Sequence, residues 1–203
     1  MTPHLAATIT FVVATTFSPG PNNLVAAALG MLGGYRRALR FTLGVFCGFV
    51  VVMLVCALAA TMLLERLPTI EPALKYIGAV YVLYLAGVIW FRRGAFGRGA
   101  EPTVVQGWRG GFVLQFVNPK LAVYGLMLYS AFLADLAEDT LHLVLSTVAL
   151  ALVSFASVTT WALAGATIRR WLTSDRARAI AAGVLALSLV WSALELVGIR
   201  NFV

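Results

Sequence analysis

The residues with chemistry to offer are gathered in two short stretches. One is Ser18-Pro19-Gly20-Pro21-Asn22-Asn23; the other ends in Asn118-Pro119-Lys120. Both lie inside long apolar runs. A proline within a helix lacks an N–H, and its ring clashes with the carbonyl four residues back. Pro19 therefore releases the carbonyl of Thr15, Pro21 that of Phe17 and Pro119 that of Gln115. In hydrocarbon each freed group costs several kcal/mol unless protein, water or a ligand satisfies it. Each stretch also reads as a helix start, with Ser18 or Asn118 as the cap and Pro19 or Pro119 at the first helical position. Exposed N–H groups and the positive end of a helix dipole favour an anion such as a carboxylate. Asn22, Asn23 and Asn118 add amide donors and acceptors. Freed carbonyls, asparagine oxygens or aromatic faces would hold an ammonium. The chemistry is capture of a small zwitterion. The plain alternative is a pair of packing kinks; the polar character and matching position of the two breaks favour a site.

Lys120 follows directly on the second break, about ten residues into an apolar run. A lysine there costs about 2.5–3.5 kcal/mol on the gentler insertion scale. It either snorkels to a membrane surface or faces a bound carboxylate. Tyr124 lies one turn on, on the same helix face. Glu195 is the one acid well inside a later run; it either carries a coupling proton or sits at the interface beside Arg200. Thr147, Ser154, Ser157 and Trp161 fall roughly on one face of another run, where they line a path or bond neighbouring helices.

The elements that must position these groups are membrane helices. The chain has 203 residues, 61% hydrophobic and 11% charged, with mean hydropathy +0.93. Soluble domains carry about 25% charged residues, so too few are present here for a water-facing shell. Six apolar runs, at 5–32, 41–64, 74–91, 111–133, 141–168 and 179–199, are long enough to span. The first lacks a positive leading region and is expected to be retained as a membrane segment. The net charge of +7 does not indicate nucleic acid, because the basic residues sit in short connectors. The first, third and fifth connectors are arginine-rich and the second and fourth are not, which places the odd connectors in the cytoplasm and both termini on the outer, periplasmic face.

The offset from Pro19 to Pro119 is one hundred residues, and each opens a group of three runs. The expected fold is an all-α integral membrane protein of six transmembrane helices. It forms one domain, 1–203, as two inverted three-helix repeats, about 1–94 and about 107–203, the first helix of each broken at proline.

Other chemistries lack their residues. Cys47 and Cys56 lie nine positions apart, on opposite helix faces and about 13 Å apart along the axis, too far to bridge. No metal-ligand spacing is present, none of His4, His142 or the cysteines forms a catalytic motif, and no cofactor is expected. A metal-ion exporter is the alternative transporter reading and lacks a ligand cluster. Gly44 and Gly48 form a GxxxG pair allowing close helix approach, within the chain or in a homo-oligomer.

At the two breaks the chain resembles a known family. Ser-Pro-Gly-Pro-Asn-Asn at 18–23 and Gln-Phe-Val-Asn-Pro-Lys at 115–120 look like the paired signatures of the LysE/RhtB amino-acid exporters. Size, hydrophobic segments and motif positions agree over nearly the whole chain. The resemblance implies efflux of small neutral amino acids or derivatives, of the cysteine, O-acetylserine, threonine and homoserine class, across a bacterial inner membrane by proton antiport. Substrate would be bound by Asn22, Asn23, Gln115, Asn118, Lys120 and Tyr124. Ser18, Pro19, Gly20, Pro21 and Pro119 would shape the breaks. Some family members carry acids near the equivalent of Gly44–Gly48 or after the second motif; this chain has none there, leaving Glu195 as the candidate for proton coupling.

Overall fold

The computed structural model describes residues 3–58, 60–92, 107–133 and 140–198. Within them are eight α-helices and no strand. They are α1 (Pro3–Phe17), α2 (Pro21–Gly33), α3 (Tyr35–Leu58), α4 (Ala60–Arg92), α5 (Trp108–Phe116), α6 (Pro119–Met127), α7 (Thr140–Trp171) and α8 (Asp175–Val197). A π turn, Leu128–Phe132, continues α6. The expected arginines at 93 and 98, the acidic Asp135, Glu138 and Asp139, and Arg200 lie outside the described residues.

Among the described residues four helices are long and apolar enough to cross a membrane: α3, α4 over 66–91, α7 and α8. The pair α5 and α6, bent by 60° between Phe116 and Pro119, is a fifth crossing if it counts as one span. The segment expected as the first, broken span is two helices of 15 and 13 residues, α1 and α2, separated at Ser18–Gly20.

Local sequence explains most boundaries. Gly34 ends α2 with φ 79°, a left-handed conformation suited to glycine, and its N–H bonds to Gly30 O at 2.8 Å. Ser174 caps α8, accepting from Ala177 N–H at 3.1 Å. Arg169 and Arg170 occupy the last turn of α7, where cations suit the helix dipole. One boundary differs from expectation. The connector at 65–73 is helical and belongs to α4, despite Pro68 and Pro72. The two prolines are one turn apart, so their missing N–H groups fall on one face, and both are exposed. Glu71 and Lys75 pair on the next turn at 2.7 Å.

The core has two parts. One joins α2, α3, α4, α7 and α8 through Leu24, Val25, Phe41, Val45, Leu85 and Ala162. The other joins α1, α3, α6 and α7 through Val12, Phe49, Met53, Tyr124, Tyr129 and Leu150. The two helix breaks lie where these parts meet. Large apolar side chains such as Phe91, Trp171 and Leu58 remain exposed around the outside, the surface a bilayer would cover.

The charged ends separate as the sequence suggests. Gly34, Tyr35, Arg169, Arg170 and Arg178 surround one hollow. Glu71, Lys75 and Glu195 surround another, shared with Phe11 and Met127. At the arginine-bearing end the helices approach closely. A Cβ on Gly30 would overlap the Ala162 carbonyl, and one on Gly165 the Ala27 carbonyl, locking α2 to α7. Gly44 against the Trp108 carbonyl, and Gly111 against that of Phe41, do the same for α3 and α5. The small residues of the GxxxG pair thus serve an internal contact.

Candidate functional site

The first break is stitched by side chains. Contrary to the expectation, Ser18 does not cap a helix and Pro19 is not a first helical residue. Gly20 occupies the cap position of α2 and Pro21 the first turn. Ser18 Oγ instead turns back and donates to the Thr15 carbonyl at 2.8 Å, the group that Pro19 releases. Trp161 Nε1 donates to the Phe17 carbonyl at 3.2 Å, the one Pro21 releases. The Thr16 carbonyl accepts from Ser157 Oγ at 3.0 Å and from Asn23 Nδ2 at 2.9 Å. Asn23 Nδ2 also reaches the Ser18 carbonyl at 2.9 Å. The expectation that freed carbonyls would hold an ammonium is therefore corrected at this break, because the protein's own donors occupy them. Ser157 and Trp161, on one face of α7, are the stitching residues, and Thr147 instead bonds Tyr129 at 2.6 Å.

The second break keeps the expected grammar. Asn118 caps α6, its Oδ1 accepting from Lys120 N–H at 3.2 Å, with Pro119 behind it. The Gln115 carbonyl accepts from the N–H groups of Val117 and Asn118. A Cβ on Gly78 would overlap the Val117 carbonyl, so α4 backs directly onto this break.

Two contacts join the breaks. Asn22 and Gln115 exchange hydrogen bonds, Nδ2 to Oε1 at 3.0 Å and Nε2 to Oδ1 at 3.1 Å. Gln115 is fully buried and also donates to the Gly111 carbonyl at 3.1 Å. Lys120 Nζ donates to Ser18 Oγ at 2.7 Å and lies beside Gly20, where a Cβ would stand 3.4 Å from it.

Between them is a hollow of about 460 Å³ of empty space, bordered by Thr15, Ser18, Gly20, Asn22, Asn23, Phe49, Asn118, Lys120, Tyr124 and Ser154. Among the described residues no acidic side chain lines it. The α2 N-terminus opens here with no side-chain cap, and the N–H groups of Asn22 and Asn23 have no helical acceptor. Lys120 adds a second positive group to the same wall. Tyr124 is buried, stacked on Phe11 with centroids 5.8 Å apart, and its hydroxyl has no hydrogen-bond partner among the described residues. A wall with this much positive potential and no counter-ion suits a carboxylate.

The structure thus gathers Ser18, Gly20, Pro21, Asn22, Asn23, Asn118, Lys120 and Tyr124 around one space. Gln115 stands behind Asn22 as its partner. Pro119 lines the larger vestibule that shares Thr15, Lys120 and Tyr124 with the inner hollow and opens toward Glu71 and Lys75. Glu195 lies in that vestibule and not in the inner hollow. Thr16 and Phe49 were not singled out by sequence, and Thr15 only for its carbonyl. The two threonines precede a break, which is a faint signal; Phe49 carries none.

The profile of the LysE type translocator family matches residues 13–198. The chain belongs to this family. It is a multi-pass membrane transporter and not an enzyme. Among similar proteins is the cysteine/O-acetylserine efflux protein of Salmonella typhimurium, 36% identical over 171 residues, covering 84% of this chain and 87% of the relative. That of Klebsiella pneumoniae is 34% identical over 171 residues, covering 84% and 86%. That of Escherichia coli K12 is 32% identical over 197 residues, covering 97% and 99%. No solved structure matches significantly. The translocator's two interrupted stretches wall the hollow described above.

Proposed function

We propose that this translocator exports small neutral amino acids or their derivatives, of the cysteine, O-acetylserine, threonine and homoserine class, from the cytoplasm across a bacterial inner membrane in exchange for protons. The observation that carries this reading is the pairing of Lys120 with the uncapped N-terminus of α2 around a hollow that no acid among the described residues lines. The substrate carboxylate sits against Lys120 and the Asn22 and Asn23 N–H groups. Its ammonium faces the hydroxyls of Thr15, Ser154 and Tyr124, which take the place of the occupied carbonyls. The names of the relatives, cysteine/O-acetylserine efflux proteins, support the substrate class.

The arginine-bearing end is the cytoplasmic one, and both termini are periplasmic. The two halves, about 1–94 and about 107–203, are inverted repeats that rock around the breaks. Helix pairing supports this: α3 packs on α7 and α4 on α8, joining equivalent helices of the two halves. The halves are not in equivalent states. The α2–α7 and α3–α5 contacts at the arginine end are extensive, while the α1–α7 and α3–α6 contacts at the other end are slight. Such a molecule is closed to the cytoplasm and open outward through the vestibule. Glu195, in that vestibule, is the acid through which a proton enters.

A metal-ion exporter is not favoured. The relatives bear amino-acid names, and among the described residues no three His, Cys, Asp or Glu side chains gather. Counterflow in proteoliposomes tests the reading. Accelerated uptake of labelled cysteine or O-acetylserine against the same internal substrate is expected; its absence for every neutral amino acid of the class overturns it.

A further inference from the structure

At the arginine-bearing end, away from the substrate hollow, lies a second cavity of about 740 Å³ of empty space. Three segments wall it: the α2–α3 turn at Gly34 and Tyr35, the end of α7 with Arg169 and Arg170, and Arg178 from the first turns of α8. Among the described residues no acidic side chain lines it. Arg178 is aimed by its own contacts, Nε donating to the Leu172 carbonyl at 2.8 Å and one terminal nitrogen reaching the exposed Asp175 at 3.4 Å. Arg169 and Arg170 have no ion-pair partner among the described residues. Topology anchoring needs arginines at this end, but it does not need three of them from two helices around one hollow.

We propose that this cavity binds the phosphodiester headgroup of an anionic phospholipid. Guanidinium groups match phosphate oxygens in charge and fork geometry. Basic pockets between transmembrane helices on the cytoplasmic side suit such headgroups. Two features favour a lipid over free phosphate. The wall continues into Leu163 and Ala166, and Leu163 is 46% exposed on the membrane-facing side, so an acyl chain has a surface to follow. Trp171, 82% exposed at the end of the same helix, marks the headgroup level. The bound headgroup bridges the α2–α3 turn to the end of α7, the helix on which α2 packs most extensively. It therefore holds that end closed.

The test uses the full chain in a neutral detergent, with phosphatidylglycerol, phosphatidylcholine or sodium phosphate added, and reads the thermal unfolding midpoint. A ligand that binds only the folded state raises it. Phosphatidylglycerol is expected to give a saturable rise, and phosphatidylcholine and sodium phosphate none. Arg169→Gln with Arg170→Gln, two residues with no side-chain hydrogen bond or ion pair among the described residues, abolishes the rise. Arg36→Gln with Arg176→Gln, which removes equal charge from the same end outside the cavity, leaves it intact. Native mass spectrometry of retained lipid gives the same comparison without unfolding. The proposal is overturned by an equal response to both lipids, by an equal loss in the two double variants, or by a rise with phosphate alone.

Discussion

Lys120 Nζ stands 2.7 Å from Ser18 Oγ, two residues separated by 102 positions in the chain. Each directly borders its helix break. Through Ser18 the lysine also meets the carbonyl that Pro19 sets free, because the same hydroxyl donates to Thr15 O. One short relay thus ties the ammonium of one half to the interrupted backbone of the other.

Replacing Lys120 should affect binding more than folding. A charged hydrogen bond contributes about 1.5–3 kcal/mol, and about 1.4 kcal/mol is tenfold in affinity. Lys120→Met is expected to weaken substrate binding about 10- to 100-fold while the protein still elutes as a single folded species. Titration of purified protein with cysteine and O-acetylserine measures it, and unchanged affinity speaks against the carboxylate role.

The Asn22–Gln115 pair predicts non-additivity. Removing Asn22 leaves the buried Gln115 amide short of a partner, at about 1–3 kcal/mol, and removing Gln115 strips the half-buried Asn22 of both bonds. Asn22→Ala and Gln115→Ala should each lower the unfolding midpoint. The double variant should lose less than the sum, because contacting residues couple by about 0.5–3 kcal/mol. Strict additivity removes the reciprocal bond from the account.

Glycine substitutions should sort by what lies opposite. Gly30→Val drives a side chain into the Ala162 carbonyl, and Gly44→Val into that of Trp108. Both are expected to part the helices at the arginine end, lowering stability and stopping counterflow. A Cβ on Gly87 meets nothing within 4 Å, so Gly87→Ala should be neutral or mildly stabilising. Parallel thermal and transport measurements on the three variants decide the matter.

Tyr124→Phe separates ligand from fold. Its hydroxyl is buried without a hydrogen-bond partner among the described residues, so its removal should lower the unfolding midpoint little. Substrate affinity should fall several-fold. A loss of stability with unchanged affinity would make the hydroxyl structural.

The breaks were legible because proline in an apolar run has few explanations, and the separation of charged ends was legible from the arginine-rich connectors. The capping of the first break was not. Sequence makes Ser18 the natural cap, but the Thr15 carbonyl freed by Pro19 competes for the same hydroxyl and wins, moving the helix start to Pro21. The stitching by Ser157 and Trp161 depends on how α7 packs against α1, which local patterning does not contain. The helical 65–73 segment was hidden because two prolines ordinarily signal a loop; their one-turn spacing on an exposed face makes them tolerable.

The account turns on a carboxylate held by Lys120 at the start of α2. Binding of O-acetylserine and cysteine should be compared with that of cysteamine, which lacks the carboxylate, in the native protein and in Lys120→Met. Native protein is expected to bind the amino acids and reject cysteamine, and the variant to lose that discrimination by weakening on the amino acids alone. If the native protein binds cysteamine as tightly as cysteine, or the variant keeps full preference for the carboxylate, the lysine does not read the substrate and the proposed site is wrong.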